Sequence, residues 1–363
     1  MMHNSATDSL ATAWQTNLEG TICEACEWHY LVPEGQLPTR CPHCFQADLV
    51  PLEEYDESLP YHRPPELILP FEVSMKQVER NVETFANNIW FAPGDLTLQN
   101  LQGRLQRIYL PMWLVDSDVQ AHWQAEAGFN YEAVSHRDRF NDNRGGWESQ
   151  KVTETRIQWE PRLGRLTRTY HNTIAPALEE HYQLQRDLGQ YNIKEAKRYA
   201  AETITDSFIR VPNRLPEDAW SDAIPGIQAA AHQECQQASQ ADHLREFRWS
   251  AEYGNLNWTL LLLPMYVTYY LDDEQQPQQI LIHGQSGKIE GQQRASMKRA
   301  QQTALYIAIA AIIIFGITLV LGALSFAVPP LFLLAAIGLV IALIVGLAAL
   351  IPLVIVWRFN KTP

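Results

Sequence analysis

Between Thr303 and Trp357 lie 55 residues without one Asp, Glu, Lys, Arg or His, and 45 of them are apolar. That is too long for the core helix of a soluble domain and too short for a transport bundle. Pro329 and Pro330 divide the run into two spans, 303–328 and 331–357. At 1.5 Å per residue each exceeds the ~30 Å hydrocarbon core of a bilayer. The joint is short enough only for a tight turn, so the expectation is a C-terminal two-helix transmembrane hairpin. Arg294, Lys298 and Arg299 precede the first span, and Arg358 and Lys361 follow the second. Basic residues stay on the cytoplasmic side, which predicts a two-pass protein of the inner (plasma) membrane with both termini in the cytoplasm. No ionisable group lies within either span, which argues against a proton or ion pathway through this chain alone. Gly338, Ala342 and Gly346 recur at four-residue spacing. They form either a close-packing face or part of a plain apolar anchor.

Without that tail the remaining 308 residues are about 40% apolar, as in an ordinary soluble domain. Residues 1–302 carry 26 basic and 41 acidic side chains, a net charge of −15. Nucleic acids and anionic lipid head groups are bound mainly through Lys and Arg, so direct binding to either is not expected. The opening residues have no basic segment leading into an apolar run, so no secretory leader is expected there.

Four of the five cysteines, Cys23, Cys26, Cys41 and Cys44, form two Cys-x-x-Cys pairs separated by 14 residues. Two thiolates three residues apart ligate one ion from a tight knuckle, and two facing knuckles complete a tetrahedron. Pro33, Gly35, Pro38 and Pro42 supply turn residues in and around the connection. The pattern predicts one structural Zn²⁺ in a ribbon over residues 19–50. A redox Cys-x-x-Cys needs a βαβ setting that this span cannot contain. His29 and His43 are bystanders on this reading, and Cys235 is a packed thiol in a helical stretch. Thiol ligands favour a reducing compartment, in agreement with a cytoplasmic ribbon.

Along the chain, residues 1–18 read as a polar tail, 19–50 as the ribbon and 51–65 as an acidic, proline-rich linker. Residues 66–174 read as a first α+β unit. Within it, 67–73 is a strand running into a helix that opens on a Ser74/Gln77 capping box. Val78, Val82, Phe85, Ala86, Ile89 and Trp90 recur there at helical spacing. Strands are expected over 107–115 and 119–127, and over 152–159 and 165–174 around a Pro161/Gly164 turn, with a long loop at 136–146. Residues 175–211 read as a helical connector. Residues 212–292 read as a second α+β unit, with a helix opening at Pro216, a break or bend at Pro225 and Gly226, and strands over 244–252, 258–271 and 279–283. Leu110-Pro111-Met112-Trp113 and Leu263-Pro264-Met265-Tyr266 are alike, which leaves open a duplicated module or a chance match. The two prolines should mark edge strands or bulges. Residues 293–302 form a basic juxtamembrane segment and 358–363 a cytoplasmic tail. The fold class is therefore α+β, with an N-terminal zinc ribbon, a helix-plus-antiparallel-sheet region and the transmembrane hairpin.

Catalytic signatures fail on inspection. Gly284-Gln285-Ser286-Gly287-Lys288 approaches a phosphate loop, but Ile282 and Ile289 stand where that motif needs Gly and Ser or Thr. Lys288 also occupies the second glycine of a nucleophile elbow. The stretch reads as a glycine-supported turn after the last strand. Asp272 and Asp273 read as a solvated turn, and no catalytic residue is expected.

Taken together, the tetracysteine ribbon, the acidic linker, Trp90-Phe91-Ala92-Pro93, Tyr109-Leu110-Pro111-Met112-Trp113, the late strand closing on His283-Gly284-Gln285-Ser286-Gly287-Lys288, and the apolar tail resemble a known family. It is that of the bacterial membrane-anchored zinc-ribbon proteins, with a ribbon of transcription-factor-IIB type, whose descriptions also invoke a primosomal helicase. The resemblance implies protein partners of phage-shock-protein-A-like or SPFH/flotillin-like type and a role in recruiting them to the membrane. It implies no catalytic residues, and the helicase description lacks any nucleotide-binding motif here. The expected function is a non-catalytic, membrane-anchored zinc-ribbon adaptor that can also self-associate. The alternative is a membrane-tethered nucleic-acid-binding regulator. Residues 19–50 oppose that alternative, since Glu19, Glu24, Glu27, Glu34 and Asp48 face Arg40 alone.

Overall fold

The computed structural model describes residues 10–38, 40–52, 59, 61–141, 146–325 and 328–361. Strands β1 (Leu18–Cys23), β2 (His29–Pro33), β3 (Leu49–Pro51) and β4 (Leu67–Ile68) precede helices α1 (Met75–Asn87) and α2 (Leu98–Gly103). Two long strands, β5 (Gln106–Asn141) and β6 (Gly146–Pro176), lead to α3 (His181–Leu188), β7 (Lys197–Arg198) and β8 (Phe208–Arg210). Helix α4 (Pro216–Ala238), β9 (His243–Leu271), β10 (Pro277–His283) and β11 (Ile289–Gly291) follow. The chain ends in the apolar helices α5 (Met297–Leu324), α6 (Leu331–Ala348) and α7 (Ile351–Lys361). The class is mixed α+β, as the sequence leads one to expect. Of the linker 51–65, residues 53–58 and 60 lie outside the described residues.

The chain forms two compact units. The first comprises Met1–Pro111, Tyr182–Val211 and Leu262–Pro363, and the second Met112–His181 and Pro212–Leu261. Two of the boundaries fall inside β5 and inside β9, so segments 66–174 and 212–292 each contribute to both units. The two look-alike tetrapeptides sit at these crossing points.

In the first unit the sheet runs β11-β10-β9-β5-β8-β2-β1-β3, with β4 pairing β7 and β9. The β5–β8 pair is parallel, through Ile108 opposite Phe208 and Tyr109 opposite Ile209. Neither Pro111 nor Pro264 lies on an edge strand. Pro111 falls between the residues of β5 that pair β8 and Met112, where pairing with β6 begins. Pro264 falls just past the last β9–β10 pair, Met265 opposite His283. Pro111 thus lies between the β8 and β6 pairings, and Pro264 at the end of the β10 pairing.

Helix α1 starts where Ser74 accepts a bond from the Gln77 N–H. The box is only half formed, because the Gln77 side chain bonds Asn81 instead. Val78, Val82, Phe85 and Ile89 are buried against Leu101 of α2, Tyr266 and Tyr270 of β9, and Ile280 and Ile282 of β10. The helix ends at Asn87, which puts Trp90 off its apolar face and leaves it 69% exposed. A second cluster gathers Trp14, Leu18, Leu31, Tyr109, Ile204, Ile209 and Leu262. The 175–211 segment is less helical than expected. Besides α3 it supplies β8, which pairs β2 and so ties the ribbon to the sheet.

In the second unit β5 and β6 pair antiparallel from Met112 opposite Pro176 to Asn141 opposite Gly146, with one irregularity between Val115 and Ser117. The expected Pro161/Gly164 turn is absent, and residues 136–141 are strand. Gly164 has a different purpose: a Cβ there would meet the Trp123 indole at 2.9 Å, so the glycine makes room for a cross-strand tryptophan. β9 likewise runs through the expected break, taking up the irregularity as left-handed backbone at Glu246 and Asn255. Helix α4 continues through Pro225, held by a buried stripe of Ala219, Ala223, Ile227, Ala231 and Cys235. That stripe covers Val119, Ala121 and Tyr170.

The apolar helices of the first unit pack as an antiparallel pair. Thr318 of α5 fills the space a Cβ at Gly338 would need, and Ala311 and Ala335 approach Gly346 and Gly322. With Ala342 buried as well, the small-residue stripe faces α5. A break before Pro352 separates α6 from α7, as expected of a residue without an amide donor.

Gly284 donates its N–H to the Pro264 carbonyl, and a Cβ at 284 would overlap that same carbonyl. Because the obstacle is backbone, Gly284→Ala should destabilise the purified protein by roughly 1–3 kcal/mol, read as a lowered Tm in thermal unfolding.

Candidate metal centre

The four cysteines sit on two turns with the same local geometry. In the first, Cys23 closes β1, its N–H bonds the Trp28 carbonyl, and its carbonyl accepts from the Glu27 N–H. In the second, the Cys41 N–H bonds the Ala47 carbonyl, and its carbonyl accepts from the Phe45 N–H. Glu27 and Phe45, each four residues after the first cysteine, both take left-handed backbone, with φ of 59° and 54°. This reverses the chain just past the second cysteine of each pair, where the bond back to the first cysteine's carbonyl closes the turn.

The turns bring all four Sγ atoms within 4.8 Å of one another. Cys23 and Cys44 are 3.6 Å apart and Cys26 and Cys41 3.7 Å. A tetrahedron with metal–sulfur bonds of about 2.3 Å has an edge of about 3.8 Å, so the arrangement can hold a metal ion and has the dimensions for zinc. The Cys41 sulfur also accepts from the His43 N–H at 3.4 Å. Cys23 and Cys41 are buried, while Cys26 and Cys44 are partly covered.

The electrostatics of the bare thiols point the same way. A hydrogen bond from Cys26 is the largest influence holding the Cys41 thiol low, at about 5, with the backbone N–H groups of Cys44 and His43 assisting. Its partner shifts the opposite way: hydrogen bonding to Cys41, then burial, raises Cys26. Burial raises Cys23. One thiolate therefore forms readily while Cys23 and Cys26 are held back, as adjacent sulfurs require until a cation sits among them.

Both histidines stand outside the ligand set. His29 uses its carbonyl to accept from the Val211 N–H and from Arg210 Nη1. The His43 ring stacks on Trp28 with centroids 3.4 Å apart, and burial followed by the Arg210 charge lowers its pKa to about 4. Arg210 covers Trp28 from β8, its guanidinium 4.0 Å from the ring centroid. Trp28, Tyr30, Val32, Leu49 and Phe208 complete a small apolar shell around the sulfurs. On the far side of the second turn Phe45 stacks on Tyr269 of β9 at 4.5 Å. Tyr269 in turn lies under Arg104, which is paired with Asp95. Arg210 and Tyr269 are distant in sequence from the cysteines, and no local pattern marks them as neighbours.

The other singled-out residues take structural roles. Cys235 is buried on α4, with its thiol pushed up to about 11 by burial. The 283–288 stretch is the turn between β10 and β11, so one more strand follows it than expected. There His283 Nδ1 accepts from the N–H groups of Gln285 and Ser286, and its ring stacks on Tyr191. Asp272 accepts from the N–H groups of Glu274 and Gln276 and from Gln278 Nε2. Asp273 accepts from Ser296 Oγ and the Lys298 N–H at the start of α5. These carboxylates are bonded, not solvated. Comparison with protein-family models, with curated proteins and with solved structures finds no match to this chain.

The purified full-length chain should carry one equivalent of zinc, and Cys41→Ser should lower that content severalfold in elemental analysis. Stripping the metal should increase hydrogen exchange across 18–51 while the amides of α1 stay protected, because the ribbon's own apolar shell is small.

Proposed function

We propose that this chain is a non-catalytic zinc-ribbon adaptor of the inner membrane, which presents its α+β region to the cytoplasm and recruits peripheral proteins. Zn²⁺ held by Cys23, Cys26, Cys41 and Cys44 is structural, keeping the two turns closed. Helix α5 crosses the bilayer outward, and α6 with α7 returns as the second arm of a hairpin, so both termini are cytoplasmic. The partners are membrane-organising proteins of phage-shock-protein-A-like or SPFH/flotillin-like type, as the family resemblance implies.

The observation that carries this reading is how firmly the apolar helices are mounted on the sheet that bears the cysteines. Two helices, Met297–Leu324 and Leu331–Lys361, are long and apolar enough to cross a membrane. Their outward side chains, among them Leu305, Ile312, Val320, Phe332 and Leu343, are exposed. Asp273 caps α5, and Asn360 of α7 exchanges two bonds with the backbone of Ala295, at 2.8 and 2.9 Å. Tyr270 of β9 accepts from the Arg294 N–H and donates to the Gln292 carbonyl. Val356 and Ala300 are buried in the same cluster as Val78, Phe85 and Tyr270. Such a mount fits a protein whose cytoplasmic surface is held at a defined place on the bilayer, which is what an anchor for a partner needs.

Two experiments test the reading. Reporters fused at each terminus should behave as cytoplasmic, and Ser325→Cys should react with an impermeant thiol reagent from outside the cell; an external signal from either terminus would refute the hairpin. For recruitment, deletion of residues 303–363 is unsuitable, since it removes Val356 from the core. The full-length chain should instead co-purify its partner from membranes, and cells lacking the chain should show that partner dispersed by fluorescence. Unchanged localisation, together with salt-sensitive DNA binding by the full-length chain, would favour the nucleic-acid alternative.

A further inference from the structure

Strand β6 is 31 residues long and, along its described length, pairs only with β5. Its other edge carries backbone donors and acceptors without a sheet partner, the arrangement that invites a further strand. Natural edges are usually short or defended by inward charges and bulges. This one instead carries an ordered charge series on one face: Glu154, Arg156, Glu160 and Arg162, with side chains 43, 54, 38 and 45% exposed. The opposite face carries apolar residues, with Leu163 86% and Ile157 39% exposed.

The charge series reads as its own complement. About a centre at Gln158, reversing the strand exchanges Glu154 with Arg162 and Arg156 with Glu160. We propose that two copies of this chain pair through β6, antiparallel about a two-fold axis at Gln158, with residues 153–163 of each in register. Every charged residue of that stretch then lies opposite one of the other sign, giving four unlike pairs per dimer. On the other face Ile157 lies opposite the partner copy's Trp159, twice. Sliding one strand by two residues in either direction sets Glu154 against Glu160 or Arg156 against Arg162, so the register is specified by repulsion as well as attraction. The match ends at Lys151, which would meet Arg165. Pro161 lies opposite Thr155 and brings no donor, which removes at most one bond per strand. Within each copy Arg156 now reaches Glu154 and Arg162 reaches Glu160, at 3.5 and 2.8 Å. These exposed i, i+2 pairs are free to trade for cross-strand ones at little cost.

The occupant of the edge is a second copy because the complement is written in the strand itself. Pairing joins the two β5–β6 sheets into one. It does not depend on the recruiting role, since it concerns only how the chain associates with itself.

Sedimentation velocity on the full-length protein in detergent provides the test. The wild type should form dimers, and Arg156→Glu and Glu160→Arg should each weaken association about tenfold or more. An equimolar mixture of the two variants should regain the dimer, because an acid at position 156 of one chain then faces a base at position 160 of the other, and Arg156 faces Glu160 at the symmetric point. Regained assembly also shows that both variants are folded. Gln158→Cys, on the axis, should give an interchain disulfide under mild oxidation that the wild type does not. A wild type that is monomeric at all concentrations, single variants that associate as tightly as the wild type, a mixture that regains nothing, or a Gln158→Cys protein that forms no interchain bond would each overturn the pairing.

Discussion

Four sulfur atoms within 4.8 Å of one another cannot all ionise without a cation between them, and much of the first unit is arranged around that constraint. The turns that place the sulfurs are closed by backbone bonds to Cys23 and Cys41, and the shell around them is only a few residues deep. Contacts from outside, beginning with the packing of Leu18 and Leu31 against Tyr109 and Leu262, make the ribbon part of a larger body. β8 pairs with β2 while Arg210 covers Trp28, and Phe45 rests on Tyr269. A metal that fixes the second turn therefore also fixes a ring packed on β9.

The same strand leads to the apolar helices. Just past the end of β9, Asp272 and Asp273 bond the following turn and the first residues of α5. The last helix returns to this point through Asn360 and Val356. Polar side chains thus do the positioning where α5 starts and α7 ends, while small residues bring α5 and α6 together further along. Hydrogen bonds confer direction at that point, and close packing of small residues confers contact along the two helices.

The second unit follows another logic. Its strands are far longer than an ordinary strand of ~5–6 residues, and a single helix with a small-residue stripe covers part of one face. Long paired strands need few long-range contacts to hold their register, since each cross-strand pair reinforces the next. They also leave an edge, and a strand that exposes its edge must either discourage partners or choose one. The alternating signs along β6 choose.

Spacing in the sequence was enough to determine the tetracysteine set, because Cys-x-x-Cys geometry is local and needs only a turn. It also determined the two apolar spans, because a bilayer-length run without charge is a property of composition, and the start of α1, because Ser74 caps through a residue three positions away. What the sequence could not decide was continuity. Pro161, Gly164, Pro225 and the gap between 252 and 258 look like breaks in one dimension, yet β6, α4 and β9 pass through them. There tertiary packing outweighs local preference: Gly164 accommodates Trp123, and a buried alanine stripe holds α4 together past its proline. Nor did local pattern reveal that two strands would each serve two units, or that Arg210, Tyr269 and Asn360 would meet residues scores of positions away. Those contacts depend on how the chain returns upon itself, and only the folded arrangement of the sheet decides that.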